Sequence, residues 1–350
     1  MSGLRPRAVL NGLTAYSVPR PSVPIDLFLD GNEGIAPPDA LLRELAGASA
    51  QMLRRYTKTA PLERLIARRH GVSPDRVIVT GGGDDALDRA CRAMLEPGRN
   101  LVLPSPSFEM IWRYATLVGA EVRRPAWRGG RWPLAAVLDA VDDSTGCVAA
   151  VSPNNPTGAV ISAEEIRAVA LAAPWALILA DLAYVEFADE DPTAALADLE
   201  NVAVFRTLSK AWGLAGLRVG YTLAAPRVVG LLRAAGNPYP VSAASLALAG
   251  AWYERGEEQV AAFVAAVREQ RAALTAQLAR LGARPEPSQA NFVFCRPADA
   301  GALREGLAAQ GISIRVWPGD AELGDSARIT IPGTTDGFAR LTRAVEEVLS

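Results

Sequence analysis

Histidine is almost missing from this chain: His70 is the single one in 350 residues. That nearly excludes a histidine-based metal site and a Ser-His-Asp triad. His70 precedes Gly71 at the end of a helical period, so a plain C-terminal cap is the expectation there. Cysteine is also scarce. Cys91, Cys147 and Cys295 are odd in number and lie far apart in apolar surroundings. Such a set argues against a disulfide framework and suits a reducing cytoplasm, the compartment expected here. No long hydrophobic run is present. The longest, "AVALAAPWALILADLAYV", is broken by Pro174 and Asp181 and is too short to span a bilayer. The N-terminal "MSGLRPRAVLNGLTAYSVP" has basic residues but no apolar core of signal-peptide length. Charge of one sign is not in excess. Thirty-six basic residues face 38 acidic ones, for a net charge of −2, so nothing implies a grip on nucleic acid or an anionic membrane. Finally, lysine is nearly missing. Only Lys58 and Lys210 occur, and the other 34 basic residues are arginines.

What is present is an ordinary globular composition, half hydrophobic and about one fifth charged. The stretch up to about Asp30 is proline-rich and irregular and reads as an arm, residues 1–29. "PPDALLRELAGASAQML" predicts a helix opening after prolines, and "APLERLIARRHG" predicts another closed by Gly71. "DRVIVTGGGDDALDRACRAML" reads as strand, tight glycine loop and helix. The alternation continues through "RNLVLPSPSFEMIWRYATLVGA", "EVRRPAW", "GCVAAVSPNNPTG", "WALILADLAY", "VAVFRTLSK" and "LRVGYTLA". Ser162 and Glu165 have the capping-box spacing at the start of one intervening helix. Strands alternating with helices imply a largely parallel sheet covered on both faces, the α/β class. A long amphipathic helix from "EEQVAAF" then leads into a smaller α/β tail with "NFVFCR", "ISIRVW" and "ARITIPG". The expected division is a large domain over 30–260 and a small one over 261–350.

In such a sheet, ligands sit at the carboxyl ends of strands, and several unusual pieces fall there. "TGGGDD" offers free backbone N–H groups at a helix N-terminus, a geometry suited to phosphate, although a glycine turn that merely closes a corner is as common. It does not supply the G-x-G-x-x-G of a dinucleotide fold. "SPNNPTG" is at least a β-turn. Asp181 ends the buried run "ALILA", where a carboxylate is costly unless it caps a helix or faces a cation. Lys210 ends another strand beside Thr207 and Ser209. Where arginine serves nearly every other positive position, lysine at 210 implies a task that a guanidinium cannot perform. A partly desolvated amine can lose its proton and attack a carbonyl. An amine for an aldehyde, hydroxyls and a glycine loop for a phosphate, and a carboxylate for a protonated ring nitrogen together describe pyridoxal phosphate.

These pieces carry a resemblance. From "GLTAY" and "LDGNEG" through "SPNNPTG", "D-x-A-Y" and "TLSKAWGLAGLRVGY" to "ARITIPGT", the chain resembles the class I/II aminotransferases of fold type I, most closely the histidinol-phosphate aminotransferase group. The resemblance implies a mostly parallel seven-stranded sheet in the large domain and a small α/β C-terminal domain. It implies that Lys210 forms a Schiff base with pyridoxal 5'-phosphate and shuttles a proton, and that Asp181 keeps the pyridine nitrogen protonated. Asn155 and Tyr184 would hydrogen-bond the ring oxygen, and Phe108 would stack on the ring. Gly83, Asp84, Thr207, Ser209 and Arg218 would hold the phosphate. Tyr56 would reach the neighbouring site of a homodimer. Arg328 would clamp a substrate carboxylate, with Arg315 and the lid residue Tyr16 completing the substrate side and Asn155 touching both ligands. The chain departs from the group's pattern at Leu182, where an acid is usual, at Phe108, where tyrosine is common, at "TKTAP" after Tyr56, and at Pro332.

The implied activity moves an amino group from an amino acid or an amino alcohol phosphate to a 2-oxo acid such as 2-oxoglutarate. A decarboxylase of an amino-acid phosphate, like the threonine-phosphate decarboxylases, shares the cofactor residues and is the alternative. A cofactor-binding sensor domain of a transcription regulator is more remote, because the recognisable fold begins near residue 11 and leaves no room for a DNA-binding segment before it. A nicotinamide dehydrogenase gives no reason for Lys210.

Overall fold

The apolar runs that lack alternation become strands buried on both faces. The computed structural model describes residues 5–11, 13–16, 22–46, 49–128 and 130–350. Among these, the strands in chain order are β1 (Leu27–Leu29), β2 (Val77–Thr80), β3 (Asn100–Val102), β4 (Glu121–Arg123), β5 (Thr145–Val151), β6 (Leu177–Asp181), β7 (Val202–Thr207), β8 (Gly220–Ala224), β9 (Phe292–Cys295), β10 (Ile312–Val316) and β11 (Ala327–Thr330). Seven of them form one sheet in the order β2-β8-β7-β6-β5-β3-β4. Only β8 runs against its neighbours. Every residue of β2, β3, β5, β6, β7 and β8 is buried, as a sheet covered on both faces requires. Val77 and Val79 pack into one core while Ile78 packs into the other, the alternation that fills both layers from a single strand. The mostly parallel seven-stranded sheet implied by the resemblance is therefore present.

Local chemistry explains where the covering helices begin and end. Ser162 caps the helix Ala163–Ala172: its Oγ accepts from the Glu165 N–H, and Glu165 accepts from the Ser162 N–H in return. Gly71, at φ 64°, closes the helix Ala60–His70 in the left-handed conformation. His70 adds a contact the cap did not foretell, a 3.0 Å hydrogen bond between Nε2 and the Tyr221 hydroxyl. One expected helix differs. "PPDALLRELAGASAQML" forms a 3₁₀ segment, Asp39–Leu45, and a separate short helix, Gln51–Arg54, while residues 47 and 48 lie outside the described residues. The intervening Ala-Gly-Ala-Ser-Ala offers no large apolar side chain, so packing does not favour one continuous helix there.

The other sheet has the order β1-β10-β11-β9. Its strands β9, β10 and β11 come from the tail, and the helices Ala300–Ala309 and Thr335–Leu349 accompany them. Its remaining strand comes from the opposite end of the chain. Leu27–Leu29, within the stretch expected to be an irregular arm, pairs in parallel with Ile312–Ile314. The residues that immediately follow β1 are thereby delivered to the mouth of the cleft between the two sheets.

Candidate active site

Parallel strands place their carboxyl ends along one edge, and the site forms there. Asp181 is the last residue of β6, Thr207 the last of β7, and Asn155 follows β5 in the loop after Val151. Gly83 opens the helix Gly83–Met94 after β2, and Phe108 precedes the helix Glu109–Val118. Lys210 lies three residues past β7. These residues, with Tyr184, Ser209, Arg218, Arg328 and Tyr16, line a single cleft.

Asp181 is only 6% exposed, and no arginine or lysine pairs with it among the described residues. Burial raises its carboxyl to about 7, against the opposing effect of the Ala183 N–H, which donates to Oδ1 across 3.2 Å. Asp181 therefore caps no α-helix; it is a buried acid that lacks a protein cation. Lys210 is half-buried, and its Nζ donates to the Gly31 carbonyl across 3.0 Å. Burial first, and then the Arg328 guanidinium, lower its ammonium to about 8. An amine with that value carries a useful neutral fraction near physiological pH, unlike an ordinary lysine.

At the other end of the cleft, Gly82 has φ 90° and leads into the helix at Gly83. Gly220 of β8 must also be glycine, since a Cβ there would approach the Gly82 carbonyl carbon to 2.6 Å. Arg218 holds a left-handed conformation at φ 53°, rare for a side-chain-bearing residue. Its Nη2 donates to Asp84 Oδ2 across 3.2 Å, an exposed pair that adds little stability and is easily exchanged. Thr207 Oγ1 donates to Ser209 Oγ at 3.0 Å and accepts from the Ser209 N–H at 3.1 Å. A helix N-terminus, two hydroxyls and a guanidinium thus line one end of the cleft, groups of the kind that bind an anion.

Between these ends stand Tyr184, Asn155 and Phe108. Tyr184 is buried, which raises its hydroxyl pKa and keeps it protonated, and it accepts from Asn32 Nδ2 across 3.0 Å. Asn155 Oδ1 accepts from Arg328 Nη1 at 2.5 Å. The neighbouring Asn154 holds the loop itself, donating to the Pro106 carbonyl and Thr157 and accepting from Ser107.

The facing wall of the cleft is built on the smaller sheet. Arg315 of β10 and Arg328 of β11 are cross-strand partners. Arg328 Nη2 also donates to the Asp30 carbonyl across 2.6 Å. Arg328 Nε and Arg315 Nη1 are buried without a hydrogen-bond partner in the protein. Tyr16 is half-exposed and borders both this region and the cleft around Lys210. Tyr56 is not brought to the site of its own chain. It is 82% exposed and stacks on Tyr239 with ring centroids 4.3 Å apart.

The family model for aminotransferase class I and II matches residues 27–347. The chain belongs to that family. It is 34% identical over 326 residues to histidinol-phosphate aminotransferase 1 of Mesorhizobium japonicum, covering 89% of this chain and 88% of that one. It is 37% identical over 342 residues to the histidinol-phosphate aminotransferase of Stenotrophomonas maltophilia, covering 93% and 91%. The crystal structure of histidinol-phosphate aminotransferase from Sinorhizobium meliloti in complex with pyridoxal-5'-phosphate superimposes with a TM-score of 0.87 at 27% identity, covering 99% of this chain and 98% of that one. L-threonine-O-3-phosphate decarboxylase from Porphyromonas gingivalis shares the fold at a TM-score of 0.79 and 21% identity, over 93% of this chain and 99% of that one. The fold is thus that of the fold type I aminotransferases.

Some residues of this cleft were not singled out by sequence reasoning. Asn32 lies inside "LDGNEG"; asparagine readily takes its φ of 53°, but nothing in the residue type signals that it binds Tyr184. Gly31 and Asp30 act through backbone carbonyls, which no side-chain pattern reveals. Trp317, bordering the substrate side, looked like an ordinary residue at a strand end.

Proposed function

We propose that the chain is a pyridoxal-5'-phosphate-dependent aminotransferase. It takes the amino group from an amino acid or an amino alcohol phosphate resembling histidinol phosphate and passes it to a 2-oxo acid such as 2-oxoglutarate. The observation that carries this reading is the meeting, in one cleft, of an amine lowered to about 8 with a buried carboxyl lacking a protein cation. A ligand with an aldehyde, a basic ring nitrogen and a phosphate would answer the lowered amine, the buried carboxyl and the hydroxyls and guanidinium at the other end of the cleft. When bound, the cofactor supplies the carbonyl for amine exchange and a cationic ring that withdraws electrons from the substrate α-carbon.

The residues then have distinct tasks. Lys210 Nζ would be the amine that holds the cofactor's aldehyde, and its lowered pKa suits it to take and return a proton beside the substrate carbon. The Asp181 carboxylate binds the protonated ring nitrogen, which offsets the burial that otherwise keeps it neutral. Tyr184, already accepting from Asn32, has its own proton free to donate to the ring oxygen, and Asn155 Nδ2 serves the same position. Phe108 covers the ring face. The backbone at Gly83 and Asp84, with Thr207, Ser209 and Arg218, binds the phosphate. Arg328 forms a fork for the substrate carboxylate, and Arg315 serves a distal phosphate or carboxylate with Tyr16 as the lid.

We also infer a homodimer in which the exposed Tyr56 completes the partner's site, a division into a large domain of about 30–260 and a small one of 261–350, and a cytoplasmic location. Two separate sheets support the division. Three buried, unpaired cysteines support the location, and no helix among the described residues is long and apolar enough to cross a membrane.

The test uses protein loaded with pyridoxal 5'-phosphate. Borohydride reduction followed by peptide mapping places a pyridoxyl group on Lys210, and mixing with histidinol phosphate or glutamate converts the cofactor to its aminated form. Absence of the label overturns the cofactor assignment. Release of carbon dioxide from phosphothreonine without any 2-oxo acid overturns the transferase assignment.

A further inference from the structure

The cleft beside Lys210 on the substrate side is lined by four arginines: Arg113, Arg124, Arg315 and Arg328. Two of them are neutralised. Arg113 Nε lies 3.1 Å from Glu109, and Arg124 Nη2 lies 3.9 Å from Glu322. The two on the sheet are not. No carboxylate oxygen comes within 4.0 Å of Arg315 or Arg328 among the described residues, although acids stand in the same cleft. Asp320 Oδ1 is taken by the N–H groups of Glu322 and Leu323, each at 2.8 Å. Glu322 Oε2 accepts from Ser105 Oγ at 2.6 Å. Cross-strand partners bring two like charges onto one face of a sheet, an arrangement that by itself repels. Burial lowers the Arg328 pKa most, and the neighbouring Arg315 charge lowers it further.

A neutral surface holds the pair instead. Trp317, the first residue past β10, has its ring centroid 5.4 Å from Arg315 Cζ and 5.9 Å from Arg328 Cζ. The half-buried indole is seated against the fully buried Phe294, at 6.2 Å and 62°. Phe294 is in turn the cross-strand partner of Arg328. A π face attracts both cations without giving up a negative charge. A carboxylate in its place would bind them more strongly but would leave nothing for an anionic ligand.

We propose that Trp317 is a positioning residue that holds Arg315 and Arg328 together as an uncompensated dication and so makes this site select ligands with two anionic groups over ligands with one. The proposal rests on the substrate-side assignment of the two arginines above. It does not depend on turnover.

The experiment measures binding of glutarate, a dianion, and butyrate, a monoanion of similar length, to the cofactor-loaded enzyme by calorimetry. Wild-type protein prefers glutarate. W317L loses about ten-fold in glutarate affinity, with a much smaller change for butyrate, because Arg315 loses the ring it shares with Arg328, while Arg328 stays held by Asn155, the Asp30 carbonyl and the Phe292 ring. W317F retains most of the preference, since a ring remains. W317E abolishes it by offsetting one of the two positive charges, so that the site no longer presents a dication. The kinetic counterpart is a rise in KM for 2-oxoglutarate in W317L, with kcat and the Lys210-bound cofactor spectrum unchanged. Equal binding of glutarate and butyrate by wild type, an unchanged preference in W317L, or a parallel loss of both ligands in W317L and W317F overturns the proposal. Absence of borohydride labelling at Lys210, by contrast, removes the aminotransferase reading and leaves the ligand preference standing.

Discussion

Asn32 and Tyr184 meet across the two sheets, Nδ2 to hydroxyl, at 3.0 Å. Asn32 follows β1 of the smaller sheet, and Tyr184 follows β6 of the larger. The backbone around Asn32 is held as well: its N–H donates to Thr330 Oγ1, its Oδ1 accepts from the same hydroxyl, and its carbonyl accepts from Asn291 Nδ2. Removing the side chain leaves the buried Tyr184 hydroxyl without its donor. N32A is expected to lower stability by about 1–3 kcal/mol in chemical denaturation. N32G keeps the left-handed φ without strain and is expected to recover part of that loss. In a double-mutant cycle with Y184F, the two losses are expected to fall short of additivity by about 0.5–3 kcal/mol. Full additivity would show that the contact is incidental.

Lys210 is expected to react with aldehydes in a pH range where surface lysines do not. Its ammonium is lowered to about 8, so the neutral amine accumulates as pH rises through that value rather than through the ordinary 10.5. The rate of cofactor attachment to the cofactor-free protein should climb with a midpoint near 8. K210R keeps a positive charge but cannot lose its proton, and it should show no covalent cofactor by mass spectrometry.

Asp181 gives cofactor-free protein a specific pH dependence. Its folded carboxyl lies at about 7, against 3.8 for the free group, so the folded state binds more protons than the unfolded one between those values. Stability is therefore highest below about 4 with respect to this group and is lost as pH rises toward 7, by on the order of a few kcal/mol. His70, lowered to about 4 by burial, acts in the opposite direction over its own window, from 6.5 down to 4. D181N removes the first contribution alone. Melting temperatures of wild type and D181N should diverge between pH 4 and 7. Bound cofactor should abolish the divergence, because a ring cation then compensates the charge. Parallel curves in the cofactor-free proteins would refute the burial argument.

Arg328 donates through one terminal nitrogen to Asn155 and through the other to the Asp30 carbonyl. R328K keeps the charge and loses the planar fork. It is expected to raise KM for amino and oxo acids by about 10–100-fold, the scale of one or two charge-assisted hydrogen bonds. Steady-state kinetics with kcat and KM resolved separately checks this, and an effect on kcat alone would point elsewhere.

Tyr56 is the residue whose expected role needs a second chain. Sedimentation is expected to give twice the monomer mass. K210A and Y56F subunits, each weakened in its own homodimer, should regain activity when mixed if the tyrosine serves the opposite site. No recovery on mixing would place Tyr56 outside the chemistry.

What the sequence by itself determined was the layout and the reactive groups. Runs such as "VAVF" and "CVAAV" read as strands buried on both faces, because nothing polar interrupts them, and their alternation with helical periods implies parallel pairing. One lysine among arginines, and one acid closing an apolar strand, stood out in the sequence because each conflicts with its surroundings, and both line one cleft. The tertiary structure alone decided how those groups are supported. Leu27–Leu29 joined a sheet whose other strands lie more than 260 residues away, and this carried Gly31 to Lys210 and Asn32 to Tyr184. Trp317 acquired meaning only once β10 and β11 paired in a register that sets Arg315 against Arg328. Side-chain periodicity reports which face a residue occupies, but contacts between distant segments depend on register and on backbone carbonyls, and neither leaves a mark on local sequence.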